Sequence, residues 1–247
     1  MGLDIVVIGV GKIPTHFALH KNLVVRTGEK IAALINQPLE PGKITVLSAE
    51  DPAVFKLFID YMYSRKVPAV TPAMHRAVQG ARTSHLCQLY CFLAKFDANA
   101  DIRNQTIDRI QDAFALMDAL PEPRLIPLIY QHTATDSPLR QLCVTSMLYY
   151  LNSQKYISNA VVVELMQDRQ FASDFLNAVR LSKIENRNMA ADPRIRHCGQ
   201  DEKCAECAGD FSKLKGKEGT PPCYFHVHPQ VKDGAGVKYP SCYLWKA

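Results

Sequence analysis

Four side chains near the carboxy-terminal end have the types and spacing of a structural zinc site. Cys204 and Cys207 are separated by two residues; after fifteen intervening residues come Cys223 and His226, again separated by two. Each pair fits on one turn and offers two ligands from one side of a tetrahedron. Thiolates and imidazole suit zinc. The lysine- and glycine-rich loop from Asp210 to Pro222 needs no hydrophobic core of its own, because a bound metal can replace one. The expected ligands are therefore Cys204, Cys207, Cys223 and His226, with zinc as a structural cofactor. Cys198 and His228 are spare candidates. His226 and His228 could serve one metal together, because alternate side chains of an extended segment share a side.

Competing readings of the same tail are weaker. A redox Cys-x-x-Cys normally follows a strand in an α/β pattern, which is absent here. Lys213, Lys215 and Lys217 could touch phosphate, but Asp201, Glu202, Glu206, Asp210 and Glu218 lie among them. Such mixed charge is the mark of a solvated loop rather than a nucleic-acid patch. A tail carrying reduced cysteines and no metal is the remaining alternative.

Elsewhere the chemistry-bearing residues point inward. Cys87 and Cys91 share a helix face at i, i+4, which His85 does not join. With Cys143 they read as core thiols. Gly9-Val10-Gly11-Lys12 invites a phosphate-loop reading that fails. That motif needs a glycine five residues before the glycine-lysine pair and a hydroxyl after it; the chain has Val6 and Ile13 there. No serine–histidine–acid set or carboxylate pair assembles by spacing, so a non-enzymatic protein is expected.

The totals agree with a packed protein. Of 247 residues, 47% are hydrophobic and 21% charged, enough for a core and against global disorder. A net charge of +5 is too mild to argue for nucleic acid. No signal-peptide pattern and no apolar run of about 18 residues are present, so an intracellular protein off the membrane is expected. Five of the eight cysteines, from Cys198 to Cys242, crowd the last fifth of the chain. Without a leader, that crowding favours metal over disulfides.

The elements that position these groups follow from periodicity. Residues 4–10 read as a strand, apolar on both faces. Gly9 and Gly11 mark a turn, and 14–19 a returning strand. A helical pattern from Lys21 to Ile35 breaks near Thr27-Gly28; 37–43 is a loop, and 44–47 a third strand. Asp51-Pro52 is a capping carboxylate followed by a first-turn proline. Val54, Phe55, Phe58, Ile59 and Met62 then share a face, each worth roughly 1.5–3 kcal/mol when buried. A short helix is expected at 73–79, then a longer one with Leu86, Leu89, Tyr90 and Leu93 inward, ending near Phe96-Asp97. The next begins near Asp101 with Ile107, Ile110, Phe114 and Met117 inward. Pro121 and Pro123 mark a boundary. Further helices fall at 124–132, 138–152 (after the cap-and-proline pair Ser137-Pro138), 158–166 and 169–185. From Asn186 apolar periodicity is lost. Three parts result, at 1–120, 121–187 and 188–247.

In this order, three blocks resemble a BTB/POZ domain. The first is Phe17, His20, Lys21 and Leu23, with Thr27 where serine is usual. The second runs from Asp51-Pro52 through Phe55 to Tyr61-Met62-Tyr63-Ser64, and the third from Leu89 to Asp97 followed by Asp101-Ile102-Arg103-Asn104. The variant is most similar to the BTB proteins of filamentous fungi, with a helical region and a cysteine/histidine tail. The resemblance implies an α+β fold: a BTB/POZ-like helical cluster with a small three-stranded sheet, an all-helical extension, and a small loop-rich, zinc-stapled tail. It implies an adaptor or scaffold that binds protein partners, among them a cullin scaffold of a ubiquitin ligase. The alternative is a transcription or nucleic-acid-associated regulator using the tail. Dimerising members carry an extra helix before the first strand. Here the strand begins at Asp4 without that helix, which speaks against the swapped dimer of those members and leaves a homo-oligomer as an open alternative. Cullin-binding members carry a hydrophobic residue, any residue, then glutamate before the third strand; here Gln37-Pro38-Leu39-Glu40 places proline in the hydrophobic position. His20 is expected to be a hydrogen-bonded structural residue at a strand-to-helix corner, and Lys21 to face solvent.

Overall fold

The computed structural model describes residues 4–36, 44–153, 157–184, 192–196, 220, 224–227, 231–233 and 236–238. Its architecture is α+β: a small mixed sheet followed by a larger helical region. Strands β1 (Ile5–Val10) and β2 (Thr15–His20) form an antiparallel hairpin, with Ile5 opposite His20 and Val10 opposite Thr15. Gly11 turns the chain at φ +97°, where a side chain would be strained. Strand β3 (Thr45–Leu47) lies parallel to β1 on its other side, giving the order β2-β1-β3. Alternation sorts the faces. Ile8, Val10, Leu19 and Leu47 are buried, whereas Ile5, Val7 and Val46 remain on the open face. The apolar character of β1 on both faces thus serves a core on one side only.

Between β2 and β3 stand α1 (Lys21–Val25) and α2 (Glu29–Asn36). The expected break at Thr27-Gly28 is a contact point. Thr27 is fully buried and its hydroxyl donates to the Val24 carbonyl at 2.6 Å. Its own carbonyl accepts from Asn99 N at 2.8 Å. A Cβ on Gly28 would sit 3.0 Å from Ala98 Cα, so only glycine admits this backbone approach. His20 behaves as the sequence suggests: its Nδ1 lies 2.9 Å from the Tyr63 hydroxyl, forty-three residues away. Lys21 differs from expectation, being half-buried where α1 meets the sheet.

Helix α3 (Pro52–Ser64) starts as predicted, with Asp51 Oδ1 accepting from Ala53 N at 2.7 Å. Its burial is wider than one stripe. Leu57 and Tyr61 are buried with Val54, Phe55, Phe58 and Met62, because α3 sits between the α1 corner and α4. The short helix expected at 73–79 is instead the first turn of α4 (Arg76–Lys95), capped by His75. Gly80 faces open space and is carried within the helix at a cost of about 1 kcal/mol against alanine. Helix α5 (Ala100–Met117) follows after a tight turn and packs along α4. Asn99 caps it through Ile102 N at 3.2 Å.

The helical region continues with a short 3-10 turn (Pro123–Leu125), α6 (Ile126–His132), α7 (Pro138–Asn152), α8 (Asn159–Leu165) and α9 (Arg169–Ile184). Helix α7 begins at the predicted proline, but Ser137 forms no side-chain capping bond. Phe171 and Phe175 are buried as their spacing suggests. One contiguous apolar core runs from Ile8 through Cys143 to Phe175 and takes in Phe225. Two short strands that periodicity did not reveal, β4 (Val231–Asp233) and β5 (Gly236–Lys238), pair antiparallel. Among the described residues no helix is long and apolar enough to cross a membrane.

Candidate interaction face on α5

Helix α5 has two buried faces, and only one is apolar. Ile107, Ile110 and Phe114 enter the core as their spacing predicts. Beside them Asn104, Asp108 and Gln111, at i, i+4 and i+7, make a polar stripe that is also buried; Asp108 is only 1% exposed. What covers this stripe comes from the far end of the chain.

Residues 192–196 lie across the carboxy-terminal half of α5. Arg194 forks onto Asp192, with Nε 2.9 Å from Oδ1 and Nη2 2.6 Å from Oδ2. Its Nη1 donates to Asp118 Oδ1 at 2.9 Å and to the Tyr150 hydroxyl at 2.7 Å, and the guanidinium lies 4.6 Å from the Tyr150 ring centroid. Burial alone would lower the Arg194 pKa, but hydrogen bonds and charge from Asp192 outweigh it and raise the value further. Burial raises the Tyr150 phenol to about 12; Arg194 opposes this and Asp118 adds to it. Asp118 is itself the left-handed residue after α5, at φ 44°, a strained position for a side chain other than glycine.

Arg196 sits between Asp108 Oδ2 at 3.2 Å and Asp112 Oδ1 at 2.5 Å. The other Asp108 oxygen lies 2.9 Å from His226 Nε2. Amide side chains read backbone. Asn104 Oδ1 accepts from Val227 N at 2.8 Å, and its Nδ2 donates to Val227 O at 3.0 Å. Gln111 Nε2 donates to Pro193 O at 2.6 Å and to Thr220 Oγ1 at 3.0 Å. Every buried polar group on this stripe thus has a partner, as desolvation requires.

Of the four expected zinc ligands, the structure describes His226 alone. Cys204, Cys207 and Cys223, with the spare candidates Cys198 and His228, lie outside the described residues, as does the 37–40 segment weighed for cullin binding. Among the described residues no group of three or more histidine, cysteine or acidic side chains is arranged to hold a metal. Cys87, Cys91 and Cys143 are buried, free thiols. Burial pushes Cys91 up to about 12 and raises the other two as well, which makes all three poor nucleophiles.

Sequence reasoning missed the α5 stripe and its partners Arg194 and Arg196. The signal was present as polar residues at helical spacing, but a solvated face has the same pattern. Compared with known proteins, the chain matches no family model and no curated protein.

Proposed function

We propose that the protein is a non-enzymatic protein–protein interaction module, an adaptor or scaffold of BTB type that presents partners to a cullin-type ubiquitin ligase. The observation that carries this reading is the order and topology of the first eight elements. A β1–β2 hairpin, two short helices, a β3 strand, and α3, α4 and α5 follow one another in the element order on which the sequence resemblance rests, with β3 pairing parallel to β1. The open sheet face adds support, since Ile5, Val7 and Val46 are all exposed on it, with Val46 opposite Gly9. Tagged full-length protein is expected to retain a cullin scaffold at micromolar concentration and to lose it in the Ile5→Glu, Val46→Glu double variant. These substitutions leave the buried face untouched. No retention of a cullin scaffold by the unsubstituted chain would overturn the adaptor role.

The tail supports a second, compatible proposal, a zinc staple through Cys204, Cys207, Cys223 and His226. Metal-binding imidazoles commonly engage a carboxylate through the other ring nitrogen, and Asp108 holds His226 Nε2 in that manner. Elemental analysis of purified protein should find one zinc per chain; less than about 0.2 would count against a closed four-ligand site. A nucleic-acid-associated role is less favoured, because Arg194 and Arg196 are both engaged by carboxylates. Salt-dependent DNA or RNA binding lost on Cys204→Ser, Cys207→Ser would reverse that preference.

A further inference from the structure

We propose that Thr71 is a phosphoacceptor site, modified by a proline-directed kinase that draws its phosphoryl group from a nucleoside triphosphate. This inference rests on the turn before α4 alone and does not depend on the BTB-type reading. Three hydroxyl residues stand directly before a proline in the chain: Thr71, Ser137 and Thr220. Burial separates them. Ser137 is 7% exposed and Thr220 8%, and the Thr220 hydroxyl already accepts from Gln111. A phosphate on either would have to be stripped of water. Thr71 is exposed, as are Pro72 and Ala73 after it, and among the described residues its hydroxyl has no hydrogen-bond partner.

The backbone around Thr71 is fixed while its side chain is left to solvent. The Thr71 carbonyl accepts from Met74 N at 3.1 Å, which closes a turn over Pro72 and Ala73. It also accepts from Nε2 of the buried Gln79 at 3.0 Å, which ties that turn to α4. Val67 and Val70 anchor the approach from α3 in the core. Pro72 restricts the residue before it to extended backbone, the form in which a kinase cleft takes its substrate. Charge favours the product as well. Between Asp60 and Asp97 the chain carries Arg65, Lys66, Arg76, Arg82 and Lys95 and no acidic residue. A group of about −1.5 to −2 charge added at Thr71 therefore meets cations and no carboxylate along this stretch. In the reaction the bond from the γ-phosphorus to its bridging oxygen breaks and the bond from phosphorus to Thr71 Oγ1 forms. The hydroxyl proton passes to the base of the kinase, and the nucleoside diphosphate leaves with the bridging oxygen. The outcome is an anionic mark on an otherwise basic stretch of surface.

The test incubates the full chain and a nucleoside triphosphate with a proline-directed kinase that modifies a peptide of residues 66–78, and locates the phosphate by mass spectrometry. One phosphate per chain is expected, on Thr71. Its uptake should run within about tenfold of the rate on the peptide, because the folded turn presents the hydroxyl without first opening. Thr71→Ala removes an exposed side chain with no hydrogen bond to lose, so it should fold normally and take up no phosphate. Uptake on the folded chain slower than that tenfold margin would overturn the proposal. So would phosphate falling on Ser137 or Thr220 in preference to Thr71, or uptake that persists in Thr71→Ala.

Discussion

Phe55→Ala is expected to lower the free energy of unfolding by about 3–5 kcal/mol, the range for losing a fully buried aromatic ring. Phe55 is 0% exposed and sits where three elements meet. Its ring centroid lies 5.3 Å from Phe17 on β2, 5.7 Å from Phe58 on α3 and 5.9 Å from Phe92 on α4. Phe92 in turn contacts Phe58 at 5.3 Å and Phe96 at 4.8 Å. Truncation would leave a cavity walled by stiff rings, which cannot collapse into it as flexible side chains do. Phe55→Leu should recover more than half of the loss by refilling most of the volume. Urea denaturation of the three proteins measures both. A loss below about 1 kcal/mol for alanine would mean that the aromatic cluster does not organise this core.

A comparable loss should come without mutation, on raising the pH. Burial lifts Cys91 from 9.0 to about 12 and raises Cys87 and Cys143 in the same direction. Tyr90 rises from 10.0 to about 12, again through burial first. These are groups whose neutral form is protonated. Below pH ~8.5 both folded and unfolded chains keep the thiol protons, and stability is independent of them. Between the unfolded value and about 12 the unfolded chain releases protons that the folded chain retains. It therefore binds fewer protons, and stability falls as pH rises. Cys91 contributes about 1.4 kcal/mol per pH unit in that window, and Cys87 and Cys143 act in the same direction. The urea midpoint should be flat with respect to these groups from pH 7 to ~8.5 and then drop. In a Cys87→Ala, Cys91→Ala, Cys143→Ala variant the first part of the drop should flatten, whatever the variant's stability at pH 7. An unchanged slope would exclude the thiols as its cause.

Both expectations concern the apolar core; the residues over α5 are held differently. The core is an apolar body crossing from the sheet through α3 and α4 to α7 and α9. The residues over α5 attach to it through Phe225 and otherwise through ions and amides. These ion pairs are themselves buried, with Asp108 1% and Arg194 2% exposed, so salt screens them little. Arginine substitution should therefore disturb these contacts far more than added salt does, because it leaves buried carboxylates uncompensated.

Most of the elements were legible in the chain because their causes are local. A carboxylate before a proline starts α3 within three residues of itself. Alternation makes β1 and β2, and a 3.6-residue period makes α5 and α9. The break at Thr27-Gly28 was readable as a break, since glycine lowers helix stability anywhere. Its reason, a backbone approach to Ala98, was not, because that partner lies seventy residues on. The same limit applies more strongly to α5. Polar side chains at helical spacing look alike whether water or another segment satisfies them, so Asn104, Asp108 and Gln111 carried no local mark of burial. Their partners are Arg196, His226, Val227 and the Pro193 carbonyl, some eighty to one hundred and twenty residues away. Local propensity and period were enough to place the helices; only the tertiary fold could decide that one of them is covered by the chain's own far end.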